Sequence, residues 1–359
     1  MSRRGVDRRG IARSGVVLDL CTVSAALIAA LGQNPETHLE VSCSILLGTT
    51  DITTLATRFE INMQANGKLS FAKIWFSCAS IAGLILHQSA ISITVTYALS
   101  GGLTFSSERF RGTAHLATPE TVGAGSKLVL TCFDDACSLT QARPIGGLTG
   151  YLYSAENIAM INAELLNNSM SAASGTIVSG TIFGCLTWNF ASSLDLITAL
   201  AGARRPTYVF YHPSGKMLLT DYADVPASGW TVPINAQSLQ RPITDGINQV
   251  NQIPLSGYLN TVYNDLPDQA LNGVLSHSGI STIMSLTDPE IVTLCSAIVS
   301  ESKKAVYEWR TALNPFIFPG ESVVLTLKSG GTATVRVESV TDTGGWPGGF
   351  WSNWKGRAA

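Results

Sequence analysis

Hydrophobic and polar residues alternate with a period of two over much of the chain. In HLEVSCSILL, Leu39, Val41, Cys43 and Ile45 fall on one side, as in a half-buried strand. TRFEINMQANGKLSFAKIWF reads as two such runs around Asn66-Gly67, a strong hairpin signal. SAISITVTYALS alternates through Ile91, Ile93, Val95 and Tyr97. KLVLTCF from Lys127 and TIVSGTIFGCLTWNF from Thr176 are further β-branched and aromatic runs. PTYVFYHPSGKMLLTDY predicts a hairpin across His212–Gly215, followed by the strand GWTVPI. PGESVVLTLKSGGTATVRVESV predicts another, turned at Ser329–Gly331.

Three stretches break this pattern. Val16–Gly32 is a largely apolar run broken early by Asp19, and reads as a short helix ended by Gly32 and Pro35. SAENIAMINAELLNNSMS reads as a helix with Ser154 as cap and Glu156 in its first turn. The third helix is predicted over 289–313, with Asp288 capping, Pro289 at the first position and Asn314-Pro315 as the stop. Asn235–Pro254 is polar and irregular and reads as a linker or long loop. Trp346, Trp351 and Trp354 lie among glycines at the end of the chain.

Many short strands and few, clustered helices predict a mainly β chain, a sandwich or barrel rather than alternating βα units. The expected organisation is an arm over 1–15, a short helix or linker over 16–35 and a β-sandwich over 36–254. A helical segment over 255–314 and a C-terminal hairpin with its Trp-rich tail over 315–359 complete it.

Composition changes the picture in one respect. Charged residues make up only 13% of the 359-residue chain, against about 25% in ordinary soluble domains. Few charges suit a surface covered by other copies of the chain. Charge is also unevenly placed. Residues 1–15 hold Arg3, Arg4, Arg8, Arg9 and Arg13 against Asp7, while the whole chain carries net −2. Arginine matches phosphate with a fork of donors and stays charged, so this arm is expected to bind nucleic acid.

Chemistry is sparse. HExxH and GxSxG are absent, and the five histidines are scattered, so no catalytic set is assigned and the chain is read as a non-enzyme. The seven cysteines form no CxxC pair and read as free thiols. The carboxylates Asp134 with Asp135, and Asp221 with Asp224, are candidate ligands for a structural Ca²⁺ between subunits; solvated turns are the simpler reading. No other cofactor is expected. The three tail tryptophans are expected to anchor contacts with a neighbouring copy, so truncation after Gly345 would leave a folded subunit that assembles poorly.

The Arg-rich arm MSRRGVDRRGIAR, the Ser/Thr/Ala-rich β body, the low charge and the mass of 38.0 kDa together resemble the coat proteins of small non-enveloped icosahedral viruses. The plan is similar to tombusvirus-, nodavirus- and dinornavirus-type coats. The resemblance implies a jelly-roll shell domain with the 289–313 helix outside it. It also implies self-assembly into an icosahedral shell and packaging of genomic nucleic acid, single-stranded RNA, by the arm. The virion, assembled in the host cytoplasm, would be its location, with host recognition by surface loops. Two other readings stand beside it. One is an RNA-associated matrix or nucleocapsid protein of another fold. The other is an exported β-rich adhesin or hydrolase, which would need Arg3–Gly32 to act as a signal.

Overall fold

A computed structural model of the chain describes residues 39–77, 88–99, 102–122, 125–142, 144, 151–153, 156–180, 184–186, 191–233, 237, 239–243, 249–257, 260–282, 286–346 and 349–359. Arg3, Arg4, Arg8, Arg9 and Arg13, and the segment 16–35, lie outside the described residues.

The first part of the chain supplies β1 (Leu39–Leu47), β2 (Thr50–Asp51), β3 (Ala56–Gln64), β4 (Phe71–Ser77), β5 (Ala90–Leu99), β6 (Thr104–Val122) and β7 (Gly125–Asp134). The period-two pattern works as expected here. Phe59, Ile61 and Met63 of β3 and Ala72, Ile74 and Phe76 of β4 are buried, and their neighbours are not. Asn66 and Gly67 both adopt left-handed φ between β3 and β4, at 83° and 66°. A side chain on Gly67 would strike Thr198, and its N–H donates to the Val209 carbonyl at 2.9 Å. The hairpin tip is thus docked on a second unit.

That unit holds β8 (Tyr151–Tyr153), β9 (Ser174–Thr176), β10 (Gly184–Leu186), β11 (Thr207–His212) and β12 (Lys216–Asp221), with helices Cys137–Gln141, Asn157–Asn167 and Ser193–Ala201. Its core includes Leu139, Ile161, Leu165, Ile197, Leu200 and Leu219. β11 and β12 form the predicted hairpin across His212–Gly215.

Next come β13 (Ala227–Val232), β14 (Leu239–Ile243), β15 (Gln252–Gly257), β16 (Thr261–Asn264) and β17 (Ile280–Thr282), with helices Leu266–Asn272 and Asp288–Lys303. β18 (Val306–Ala312), β19 (Ser322–Thr326), β20 (Thr332–Gly345) and β21 (Gly349–Ala358) end the chain.

Both ends of the described chain build one thirteen-stranded sheet, in the order β14-β18-β21-β20-β3-β4-β7-β6-β5-β1-β2, with β19 also on β20 and β13 parallel to β19. β20 is the hinge of this arrangement. It pairs with β3 from Ser339↔Gln64 to Gly345↔Arg58, and with β21 along its other edge. The large core draws on both ends, from Ile45 and Phe59 to Val340 and Trp354.

The chain is mainly β, as its pattern predicts. Two finer expectations are corrected. The strand order is not the nested first-with-last pairing of a jelly roll. The 289–313 helix stops at Lys303, and Val306–Ala312 is a strand held between β14 and β21. After Lys303 a helical and an extended pattern both fit the sequence; ladder partners on both sides decide for the strand. The helix start differs by one residue: Thr287 is the cap, closed by Glu290 in a reciprocal capping box. Asn235–Pro254, expected as a loop, contains β14 and the start of β15.

Candidate functional site

Three places concentrate polar or interacting side chains. The first is the last strand. Ser352, Trp354 and Gly356 of β21 are buried while Trp351, Asn353 and Lys355 face out, because successive side chains point to opposite faces. Trp354 stacks on Trp309 at 6.1 Å with only 9° between the rings, and its Nε1 donates to Thr311 Oγ1 at 3.0 Å. Beneath it lies Arg109, whose side chain is fully enclosed. Arg109 is the extra residue of a bulge: β5 pairs Ile93 with Phe110 and then Thr94 with Glu108. The bulge turns Arg109 inward beside Phe110.

Arg109 Nε donates to Asp342 Oδ2 at 2.5 Å and Nη1 to the Ile317 carbonyl at 2.5 Å. Ser352 Oγ donates to the other oxygen of Asp342 at 2.5 Å. The guanidinium sits over Phe318 at 4.6 Å and Trp354 at 5.9 Å. This network pins the strap between β18 and β19, where Leu313, Phe316, Ile317 and Phe318 are buried. Tyr97 donates to the Leu313 carbonyl, and Phe318 N–H to Glu321 at 3.0 Å. Burial pushes the Glu321 carboxyl up to about 7. Burial, and then the nearby Arg109 charge, push His212 down to about 4; its ring lies 4.3 Å from Phe318. Closed off from solvent, this cluster fixes strand geometry and offers no access to a substrate.

The second place is a polar cavity of about 460 Å³ whose lining includes His115, Asp134, Asp135, Cys137, Gln141 and Tyr211. Asp134 ends β7. Its Oδ2 accepts from Ser70 N–H at 2.8 Å, and burial pushes its carboxyl up to about 7. Tyr211 donates to Asp135 at 3.4 Å. A cavity of about 10 Å³ lies alongside, lined by Ser70, Arg109 and Asp134 among others, which is room for about one water. Ser70 Oγ, Arg109 Nη2 and Asp134 Oδ1 are buried without a hydrogen-bond partner among the described residues. Burial raises the Cys137 thiol, which keeps it protonated and weakens it as a nucleophile.

The third place is the lobe of β15–β17 and the helices Leu266–Asn272 and Asp288–Lys303. Its core is small: Ile253, Leu255, Cys295 and Val299. Asn251, fully buried, organises it instead. Its Nδ2 donates to Asp268 at 2.8 Å and to the Gly273 carbonyl at 2.7 Å, and its Oδ1 accepts from Leu275 N–H at 2.7 Å. No residue of the Leu266–Asn272 helix is buried. Leu266 and Leu271 are 68% and 85% exposed, and Val262, Val274 and Val292 also face out.

The predicted site residues are therefore scattered. Asp134 and Asp135 share the polar cavity. Asp221 is buried, receives Ala223 N–H at 2.9 Å and lies 3.6 Å from Arg205; Asp224 is exposed. No group of three metal-ligating side chains occurs among the described residues. The three tryptophans do not act alike. Trp354 closes the subunit's own core, half-buried Trp346 packs on Phe59 and Phe350, and Trp351 is 38% exposed beneath Arg310 at 4.8 Å. β21, which truncation after Gly345 would remove, is an interior strand paired with β18 and β20. Arg109 and Asn251 had no signal in the sequence, since a bulge and a network of distant backbone groups define them.

The sequence matches no protein-family model and no curated protein. The fold does match solved structures. A tail protein from Neisseria meningitidis MC58 superposes with a TM-score of 0.65 at 10% identity, covering 88% of this chain and 96% of that one. The 43 kDa tail protein of prophage MuSo2 from Shewanella oneidensis gives 0.63 at 10% identity, with 88% and 97% covered. The E. coli c3393 protein gives 0.53 at 10% identity, with 90% and 77% covered. It is described as a type VI secretion component with structural similarity to the T4 tail proteins gp27 and gp5. These likenesses overturn the icosahedral coat reading and the capsid-shell location that went with it. They lend no support to a genomic RNA partner.

Proposed function

We propose that this chain is a self-associating structural subunit of a tail-like or type VI secretion-like assembly, and that it works through its surfaces rather than by catalysis. The observation that carries this reading is the extent of the fold likeness. At 10% identity the two tail proteins still match over 88% of this chain and nearly all of their own length. The likeness to a type VI secretion component extends the same reading to secretion machines. The composition agrees, because a chain with 13% charged residues gains solubility when copies cover one another. In this reading the long sheet, in place of a jelly roll, is the scaffold, and the unit around Ile161 and the lobe around Asn251 are attachments. In this reading the half-exposed Trp351, rather than the buried Trp354, is the tail tryptophan that meets a neighbour.

Light scattering and negative-stain imaging of the purified full chain test this. The expected species is a discrete oligomer of few copies, open in shape. A chain that stays monomeric at every attainable concentration, or that forms closed spherical shells, overturns it.

A further inference from the structure

The polar cavity of about 460 Å³ lies where the long sheet meets the second unit. β6 brings Thr113 and His115 to it, β7 ends in it at Asp134, and β11 brings Tyr211 from the other side. The lining joins the carboxylates of Asp134 and Asp135 to hydroxyls, as on Ser138, and amides, as on Gln141. Among the described residues no lysine or arginine lines it.

Charge there is unbalanced. Asp134 is 3% exposed, its Oδ2 accepts from Ser70 N–H, and its Oδ1 has no hydrogen-bond partner among the described residues. Two arginines, Arg109 and Arg111, line the small cavity alongside. Both are committed elsewhere. Arg109 donates to Asp342 at 2.5 Å, and Arg111 donates to Glu108 twice, at 3.0 and 2.7 Å. A water in the small cavity could donate to Asp134 but would bring no charge, and buried charges are as a rule paired. The helix Asn157–Asn167 adds to the imbalance. Its cap Asn168 is part of the lining, and a helix carboxyl end carries partial negative charge.

A metal ion is not the counter-charge that fits, because no group of three metal-ligating side chains occurs among the described residues. An ammonium group has three donors and needs only carboxylate and hydroxyl oxygens to receive them. The volume also leaves room for a carbon chain. We infer that the cavity binds a primary amine in its ammonium form, the nitrogen donating to Asp134 and Asp135 and the chain lying along Met170 and the Tyr211 ring. Free amines and lysine side chains share this head group, and the test separates them. The inference does not depend on self-association, so the two ideas fail separately.

Saturation-transfer NMR titrations of the full chain use two charged probes, butylammonium and Nα-acetyl-lysine amide, with neutral 1-butanol as reference. At pH 8 at least one charged probe should bind at least about tenfold more tightly than butanol, as for a charge-assisted hydrogen bond to a buried group. D134N should remove that preference. Burial holds the Asp134 carboxyl up at about 7, and a bound cation favours its ionised form. Binding should therefore release a proton and tighten by about tenfold from pH 6 to pH 8, a range over which an alkylammonium keeps its charge. Tyr211 and Cys137, both raised by burial, stay protonated there, and H115Q separates the share of His115 from that of Asp134. Ser171 is an exposed residue of the lining, so S171W should block the probes with an unchanged melt, which serves if D134N fails to fold. Binding of butylammonium alone assigns the site to a free amine, and of the lysine amide alone to a protein lysine. Charged probes that bind no more tightly than butanol, or that bind D134N and S171W as they bind the unaltered chain, overturn the inference. So does displacement of both probes by micromolar Ca²⁺.

Discussion

Replacing Trp354 by alanine should destabilise the subunit itself, not merely its assembly. Trp354 is 3% exposed, lies in an interior strand and contacts both neighbouring strands. Truncating a buried tryptophan costs about 3–5 kcal/mol through lost burial and the cavity left behind. The parallel stack on Trp309 and the bond to Thr311 put this case at the upper end, since each adds about 1 kcal/mol. The hole would also open above Arg109, a charge held without solvent. Against a native stability of about 5–15 kcal/mol, W354A should lower Tm by roughly 5–10 °C. Trp351 supplies the control from the same strand. Its outward face, 38% exposed, meets Arg310, a contact worth about 0.5–1 kcal/mol, so W351A should melt almost normally. Calorimetry of both variants, with sedimentation at fixed concentration, reads the difference. Equal melts for W354A and the unaltered chain, with assembly lost, would refute the argument and restore Trp354 as an interface anchor.

Other outcomes follow from the same network. D342N or R109M alone should cost about 3–5 kcal/mol in chemical denaturation, because each strands a buried partner; a double R109M/D342L variant should recover much of that, and equal losses in single and double variants would argue against a coupled pair. For Asp134, with its carboxyl pushed up to about 7, the native state keeps a proton that the unfolded chain has already released above the ordinary aspartate range. Stability should therefore fall as pH rises from about 4 to 7, and D134N should remove that part of the slope; His212, pushed down to about 4, contributes in the opposite direction below its ordinary value, so melts of D134N and H212Q across pH 4–8 should diverge. G356A should cost about 1–3 kcal/mol, since a side chain there meets the Arg336 carbonyl and Val335; a neutral melt would show that β20 yields at its bulge.

Local pattern made much of the β architecture readable. The hairpin at Asn66-Gly67, the turn at His212–Gly215 and the capped start of the helix near Thr287 each depend on residues close in sequence. Steric preference and side-chain period act at that range. The strand β18 was not readable. A helix of good propensity and an extended strand both fit Val306–Ala312 until β14 and β21 supply ladder partners. The candidate sites were readable only in fragments. Asp134 and Asp135 are neighbours in the chain, but the cavity they line also needs Gln141 and Tyr211 from other elements.

By itself the sequence determined that the chain is mainly β, where its tight turns lie and where its positive charge gathers, because alternation, turn chemistry and composition are local properties. It also carried the period that sends Trp351 and Trp354 to opposite faces of β21. Only the tertiary structure decided which of those faces is core. Pairing of β3 with β20, from opposite ends of the chain, encloses Trp354, and a one-residue bulge in β6 delivers Arg109 to Asp342. Those decisions rest on contacts between distant residues, whose free energy exists only after the whole sheet has closed.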